Sequence, residues 1–198
     1  MLLETSNALQ FPVLSLTIFL PLLGAVGLAL LPRRHDALVM AWGVTVAAFP
    51  AVRAGLLGGS SAAAGPFSPV LPTPQFAAPP LAPVAWLPGG ITYQVAVDGI
   101  AVVLVFLTAL LGLLALAFSA GSVRTRVREY VALVLVMETG VLGVFAAMDL
   151  FLFYVFWEAA LIPMLLLIGI WGGKERLYAA FKFVVYTIAG SALMLVAI

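Results

Sequence analysis

The chain lacks the residues that most metal and redox sites need. Its 198 residues include no cysteine and a single histidine, His35. Without cysteine there is no disulfide and no cysteine-bound iron–sulfur cluster. No second histidine and no carboxylate cluster stands near His35 in the sequence, so we expect a solvated loop residue rather than a metal ligand.

Charge is also scarce. Only 9% of the residues are charged, whereas 65% are hydrophobic. A soluble domain has about 25% charged and about 45–50% apolar residues, so this composition predicts an integral membrane protein in a lipid bilayer. The net charge of +1 and the lack of a basic run argue against nucleic acid as a partner.

Six apolar segments are long enough to cross a bilayer as helices, which takes about 20 residues each. They cover residues 11–31, 37–57, 95–118, 130–148, 150–170 and 178–198. The sequence therefore predicts an all-α, polytopic transmembrane bundle of about six spanning helices.

The spans fall into two groups, in residues 1–57 and 95–198. Residues 58–94 between them carry no charge and are rich in Gly, Ser, Ala and Pro. Prolines and glycines at this density do not sustain a helix, so we expect a long extracytoplasmic loop. A weak alternation of apolar and polar residues over 90–97 indicates a short strand at its end.

The positive charges indicate an orientation. Eight of the nine lysines and arginines lie in or beside the connections after the first, third and fifth spans. They are Arg33, Arg34, Arg124, Arg126, Arg128, Lys174, Arg176 and Lys182. Connections rich in these residues lie in the cytoplasm. Because Arg53 alone lies on the other side, we expect the N-terminus outside the cell.

Two carboxylates lie inside predicted spans, Glu138 in the fourth and Glu158 in the fifth. Charged groups at membrane depth are costly and usually face a bundle interior or a wet cavity. If the chain turns at Asp149, the two acids lie about 16 and about 13 Å below that turn, at similar depth. We interpret them as members of a proton or ion path. For Glu138 a structural role, bonded to a neighbouring hydroxyl, is the alternative.

Polar and helix-breaking residues accompany the acids. Pro163 has no amide to donate to the carbonyl of Ala159, which leaves that oxygen free to hold water or a cation; a mild kink is the alternative. Lys182 either extends to the membrane surface or points inward, where Tyr186, Thr187 and Ser191 would continue a hydrophilic track.

Other positions have structural readings. Asp149 is expected to cap the fifth helix. Five glycines are expected at close helix contacts: Gly27, Gly112, Gly140, Gly143 and Gly190.

Three segments resemble one family. They are Met137-Glu-Thr-Gly-Val-Leu-Gly-Val-Phe145, Asp149-Leu-Phe-Leu-Phe-Tyr-Val-Phe-Trp-Glu-Ala-Ala-Leu-Ile-Pro-Met164 and Ile168-Gly-Ile-Trp-Gly-Gly173. Together they are similar to the subunit M (chain 4) family of proton-pumping NADH:quinone oxidoreductase, respiratory complex I. The motifs lie beyond about Gly90, and the earlier part resembles the family only in layout.

The resemblance implies a function. It implies an antiporter-like fold of inverted helical repeats, set among other membrane subunits in the inner membrane of a bacterium. Glu158 matches the family's essential fifth-helix glutamate, a proton-handling site, and Glu138 matches a fourth-helix position that is often acidic. No redox centre is implied for this chain, since the whole complex would use FMN, iron–sulfur clusters, NADH and quinone. The family is much longer, so an N-terminal piece is expected.

Two other functions fit the same residues. One is a subunit of a multisubunit Na⁺/H⁺ antiporter or of a membrane-bound hydrogenase, with similar helices and a similar buried acid. The other is a passive membrane scaffold that holds neighbouring subunits by helix packing. We therefore interpret the chain as part of a proton-translocating enzyme, without a catalytic redox site of its own.

Overall fold

The computed structural model describes residues 11–30, 36–62, 84–87, 91–97 and 99–198. Within these ranges the chain forms six α-helices, which we label in order. They are α1 Phe11–Gly27, α2 Asp36–Ala62, α3 Gly99–Ser122, α4 Val127–Ala146, α5 Leu150–Trp171 and α6 Arg176–Ala197. One 3₁₀ turn, Leu28–Leu30, follows α1. The predicted all-α, polytopic class is confirmed.

Helices α2 to α6 are long and apolar enough to cross a membrane. The apolar part of α1, Leu14–Gly27, is shorter. The expected six spans thus comprise five helices of membrane length and one shorter apolar helix in the described part of the chain.

The segment between α2 and α3 contains a small antiparallel hairpin, β1 Val84–Leu87 and β2 Ile91–Tyr93, with Val84 opposite Tyr93. Strand β2 lies inside the stretch where the alternation predicted a strand, whereas β1 was not predicted. Residues 63–83 and 88–90 of the expected loop lie outside the described residues, as do Arg33, Arg34 and His35.

Two helix boundaries differ from the sequence prediction. Helix α2 continues to Ala62, beyond the expected end at Leu57. Extending an existing helix costs far less than starting one, so α2 continues through glycines and serines. Helix α3 starts at Gly99 rather than Val95 because the preceding residues pair with the α4–α5 turn. There the Ala96 amide donates to the Ala146 carbonyl at 2.8 Å.

Helix α4 is the centre of the bundle. It contacts α1, α2, α3 and α5, and half of its membrane-length window is buried. In contrast, 11% of the corresponding window of α6, which packs against α5, is buried. The acid on α4 is therefore placed in the most enclosed part of the protein.

Helices α4 and α5 form a tight hairpin. A Cβ placed on Gly140 would lie 2.8 Å from the Cβ of Ala160, and one on Gly143 would overlap the ring of Phe156. The absence of side chains at these two glycines lets the helices approach closely, as expected. At Gly190, which was also expected at such a contact, nothing in the described residues lies within 4 Å of an added Cβ. At the turn, Asp149 Oδ1 accepts hydrogen bonds from the amides of Phe151 and Leu152, at 2.9 and 3.0 Å. The predicted cap of α5 is confirmed.

Candidate functional site

The tight α4–α5 seam determines where the two carboxylates point. Gly140 on α4 and Phe156 and Ala160 on α5 face the seam. Each glutamate is two residues along its helix from a residue that faces the seam. On a helix of 3.6 residues per turn, its side chain therefore points about 160° away from the seam. Glu138 therefore faces α3, and Glu158 faces α6. The sequence placed the two acids in one hairpin, but the structure places them on its opposite sides.

The two acids differ in depth along the hairpin by more than the sequence predicted. Because Gly140 lies level with Ala160, Glu138 lies level with residue 162. Glu158 is four residues nearer the turn, a difference of about 6 Å.

Glu138 is almost fully enclosed. Its relative exposure is 3%, and neither carboxylate oxygen has a hydrogen-bond partner in the described protein. The neighbouring hydroxyls are used elsewhere, since Thr108 donates to the Leu104 carbonyl and Thr139 to the Leu135 carbonyl. In the described residues, therefore, Glu138 makes no hydrogen bond to a neighbouring hydroxyl of the kind that the alternative, a structural acid, requires.

Glu138 lines a cavity of about 340 Å³ between α3, α4 and the end of α5. The lining residues are Thr108, Leu111, Gly112, Ala115, Tyr130, Val134, Met137, Glu138, Val141 and Leu167. A water molecule occupies about 30 Å³ in the liquid, so this space is large enough for several. The carboxyl group faces Gly112 on α3, where an added Cβ would lie 3.1 Å from Glu138 Cδ.

Tyr130 lines the same cavity near the α3–α4 connection and was not singled out from the sequence. Its hydroxyl lies 2.6 Å from the Ser119 hydroxyl, and its ring meets Trp171 edge-on with centroids 5.3 Å apart. Trp171 in turn donates to the Thr125 carbonyl at 3.0 Å. The spacing between Tyr130 and Glu138, eight residues or just over two turns, is the sequence signal that places both on nearby faces of α4.

Glu158 lines a smaller cavity of about 100 Å³ between α5 and α6. Its side chain is half-buried, and its Oε1 atom is buried without a hydrogen-bond partner. Thr187 lines the same cavity, and its hydroxyl donates to the Phe183 carbonyl at 2.6 Å. The structure thus brings Glu158 and Thr187 together. Pro163 is buried within α5, which continues as one helix through it.

Lys182 and Tyr186 lie away from this cavity, on the exposed side of α6. The ammonium nitrogen of Lys182 is 5.8 Å from the ring centroid of Tyr178 and 6.0 Å from that of Tyr186. Tyr186 itself is 70% exposed. The lysine is therefore held by its aromatic neighbours, and the polar groups of α6 do not form a single track toward Glu158 in the described residues.

The described part of the chain brings together no group of three histidine, aspartate or glutamate side chains that could hold a metal ion. The chemistry available at the two cavities is that of single carboxyl groups, which accept and release protons.

The bundle and its two membrane-depth acids define the class, a multi-pass membrane protein of antiporter-like fold. Residues 147–198 match the family model described as NADH:quinone oxidoreductase/Mrp antiporter, TM. One solved structure, that of an archaeal membrane-bound sulfane sulfur reductase, matches with a TM-score of 0.73 and 21% identity, over 93% of this chain and 36% of that one. At that identity the match shows the fold alone.

Two curated relatives share more of the sequence. The chain is 47% identical over 191 residues to NADH-quinone oxidoreductase subunit M of Rhodobacter capsulatus, covering 93% of this chain and 35% of the relative. It is 38% identical over 194 residues to an NAD(P)H-quinone oxidoreductase chain 4 of Nostoc sp., covering 96% and 34%. The expected resemblance to the subunit M/chain 4 family is confirmed.

The similarity reaches further toward the N-terminus than the motifs indicated. Because the match to the Rhodobacter relative covers 93% of the chain, it includes much of the first ninety residues, which the motifs had related to the family only in layout. The chain spans about a third of the length of both curated relatives.

Proposed function

We propose that this chain is part of a proton-translocating membrane subunit of an NADH:quinone oxidoreductase, with Glu158 and Glu138 handling the proton. The observation that carries the proposal is the state of the two carboxyl groups. Each lies in a helix of membrane length, each has a buried oxygen without a protein hydrogen bond, and each lines its own cavity.

An acid of this kind is suited to proton exchange. A carboxyl group fixed by several donors is held in one orientation, whereas one without a protein donor is free to turn toward the adjoining cavity and to exchange its proton there. Glu158 exchanges protons beside Thr187, and Pro163, which has no amide to donate to the Ala159 carbonyl, leaves that carbonyl free in the same helix. Lys182, whose ammonium group lies over the Tyr186 ring, supplies positive charge on the exposed face of α6.

The proposed complex supplies the energy from elsewhere. Electrons pass from NADH to quinone through FMN and iron–sulfur clusters in partner subunits, and this chain contributes no redox centre. Coupling between electron transfer and the two glutamates is then electrostatic, through charges that move in neighbouring helices.

We further propose that the chain lies in the inner membrane of a bacterium with its N-terminus outside. The α3–α4 and α5–α6 connections carry a cluster of positive charge: Arg124, Arg126, Arg128, Lys174 and Arg176. The hydrogen bond from Trp171 to Thr125 joins these two connections at one end of the bundle. The preference of such segments for the cytoplasm supports this orientation.

The test is Glu158→Gln in the complete complex, assayed in membrane vesicles. We expect proton pumping per NADH oxidised to fall about tenfold or more, because glutamine is of similar size but carries no exchangeable acid proton. Quinone reduction should persist. The matched control is Glu129→Gln, whose carboxylate is exposed and pairs with Arg126.

The alternatives give different results. Unchanged pumping with Glu158→Gln would contradict the proposal and favour a passive scaffold. The family description also includes Mrp antiporters. A chain of that kind would give no NADH-dependent quinone reduction when isolated with its natural partners, and would instead exchange Na⁺ for protons.

A further inference from the structure

Gly112 on α3 has surroundings unlike those of the other tightly packed glycines. The three atoms nearest to a Cβ built there all belong to the carboxyl group of Glu138: Cδ at 3.1 Å, Oε2 at 3.2 Å and Oε1 at 3.3 Å. A Cβ on Gly24 would meet Val46, one on Gly43 would meet Val131, and one on Gly140 would meet Ala160. Those glycines face apolar neighbours, whereas Gly112 faces an acid.

We propose that Gly112 is a positioning residue for Glu138, and that its missing side chain provides the space into which the carboxyl group fits. The inference rests on the proposed function, because it assigns to Gly112 the placement of one of the two proton-handling acids. It is carried by three observations: the contact itself, the burial of a carboxyl group without a hydrogen-bond partner, and the cavity that both residues line.

Helix stability does not explain a glycine at this position. Glycine weakens the interior of a helix relative to alanine, and Gly112 lies inside α3. Close approach of two backbones does not explain it either, since the nearest atoms are those of a side chain. What an alanine methyl group would change is the room available to the carboxyl group.

The displacement expected of the carboxyl group is small. Distances of 3.1 to 3.3 Å are shorter than ordinary van der Waals contact, so a methyl group would displace the carboxyl group by a few tenths of an ångström. It would also move the carboxyl group relative to the cavity that both residues line. The proton exchange proposed for Glu138 depends on that position, because a proton passes only between groups within hydrogen-bond reach.

The experiment is Gly112→Ala in the complete complex in native membranes, with Gly121→Ala as the matched control. Gly121 lies on the same helix, and nothing comes within 4 Å of a Cβ built there. We expect Gly112→Ala to lower pumping per NADH oxidised about threefold to tenfold, as small misplacements of reacting groups do. Gly121→Ala should leave pumping unchanged, and both variants should keep quinone reduction.

A second variant separates positioning from general packing. Glu138→Asp shortens the side chain by one methylene group and withdraws the carboxyl group from α3. In the Gly112→Ala background we expect Glu138→Asp to raise pumping about twofold or more. In the otherwise unchanged protein the same substitution should lower pumping. Opposite effects of this kind are the coupling expected of two residues in contact. A purely structural glycine would show no such reversal.

A spectroscopic readout is independent of pumping. The infrared carbonyl band of the Glu138 carboxyl group is the one that Glu138→Gln removes. We expect Gly112→Ala to shift this band and to slow its exchange with deuterated water, and Gly121→Ala to do neither.

The outcomes distinguish the inference from the proposed function. If Glu138→Gln pumps normally, the proposed role of Glu138 fails, and the inference fails with it. If Glu138→Gln loses pumping while Gly112→Ala keeps both normal pumping and an unshifted band, the inference alone is overturned. Reduced pumping without a band shift would also overturn it, because the effect would then not pass through Glu138.

Discussion

Glu138 and Glu158 differ in how completely the described helices enclose their side chains. Glu138 lies on the central helix α4, is 3% exposed and lines a space of about 340 Å³. Glu158 is half-buried and lines about 100 Å³ on the side of α6, the least buried helix of membrane length. Two acids in one helical hairpin thus have separate surroundings, and a change at one need not act on the other.

The wall between the two cavities is the α4–α5 seam, and breaking it should have the largest effect. In Gly140→Ala the new methyl group would lie 2.8 Å from the Cβ of Ala160 and 3.0 Å from its backbone nitrogen. We expect a loss of about 3 kcal/mol in the free energy of unfolding, because backbone atoms cannot yield as a flexible side chain does. Detergent-induced unfolding of the purified full-length subunit measures it.

The control for the seam is Gly169→Ala on α5. A Cβ there would lie 3.7 Å from the Cβ of Ala180, which is an ordinary contact. We expect no loss of stability and a small gain from helix propensity. Equal losses at Gly140 and Gly169 would contradict the distinction between a tight α4–α5 seam and a looser α5–α6 contact.

The second prediction concerns the cost of the enclosed acid. Glu138→Met replaces an unpartnered buried carboxyl group with an apolar side chain of similar length. We expect the free energy of unfolding to rise by about 2 kcal/mol, since a buried polar group without a partner is destabilising. The same unfolding assay applies, and pumping should fall at the same time.

The comparison is sharpened by Glu158→Met. Because Glu158 is half-buried, we expect a gain of less than about 1 kcal/mol. A gain at Glu158 as large as that at Glu138 would show that the two carboxyl groups are equally desolvated, against the structure described above.

The smallest expected effect is at the turn that fixes the hairpin. Asp149→Ala removes the acceptor of two amide hydrogen bonds at the start of α5. We expect a loss of about 1 kcal/mol in the free energy of unfolding, whereas Asp149→Asn should retain nearly all of it because asparagine is also a good cap. An equal loss in both variants would mean that the charge of Asp149, and not its cap, stabilises the turn.

The local features were predictable because they depend on residues close together in the chain. The cap at Asp149, the two packing glycines of α4 and the extents of α4 and α5 follow from turn chemistry and apolar length. The pairing of Ala96 with Ala146 just before α3 was not predictable, since it joins residues that are far apart in the chain.

Some of the functional residues were also predictable from the sequence, and others were not. Glu138 and Glu158 stand out in the sequence because acids are rare inside membrane-length helices. Tyr130 and the contact of Gly112 with Glu138 were missed, since neither residue is unusual in its own helix. Lys182 and Thr187 were considered together because both are polar positions of α6, yet only Thr187 reaches the Glu158 cavity in the described residues.

The sequence by itself determined the membrane class, the succession of helices and the placement of both carboxylates inside helices of membrane length, because length and hydropathy are properties of the chain. Only the tertiary structure decided which way each acid faces. A helix that is apolar on every side has no pattern that marks its inner face. The close contact of Gly140 with Ala160 fixes the rotation of α4 against α5, and that rotation directs Glu138 to Gly112 and Glu158 to α6.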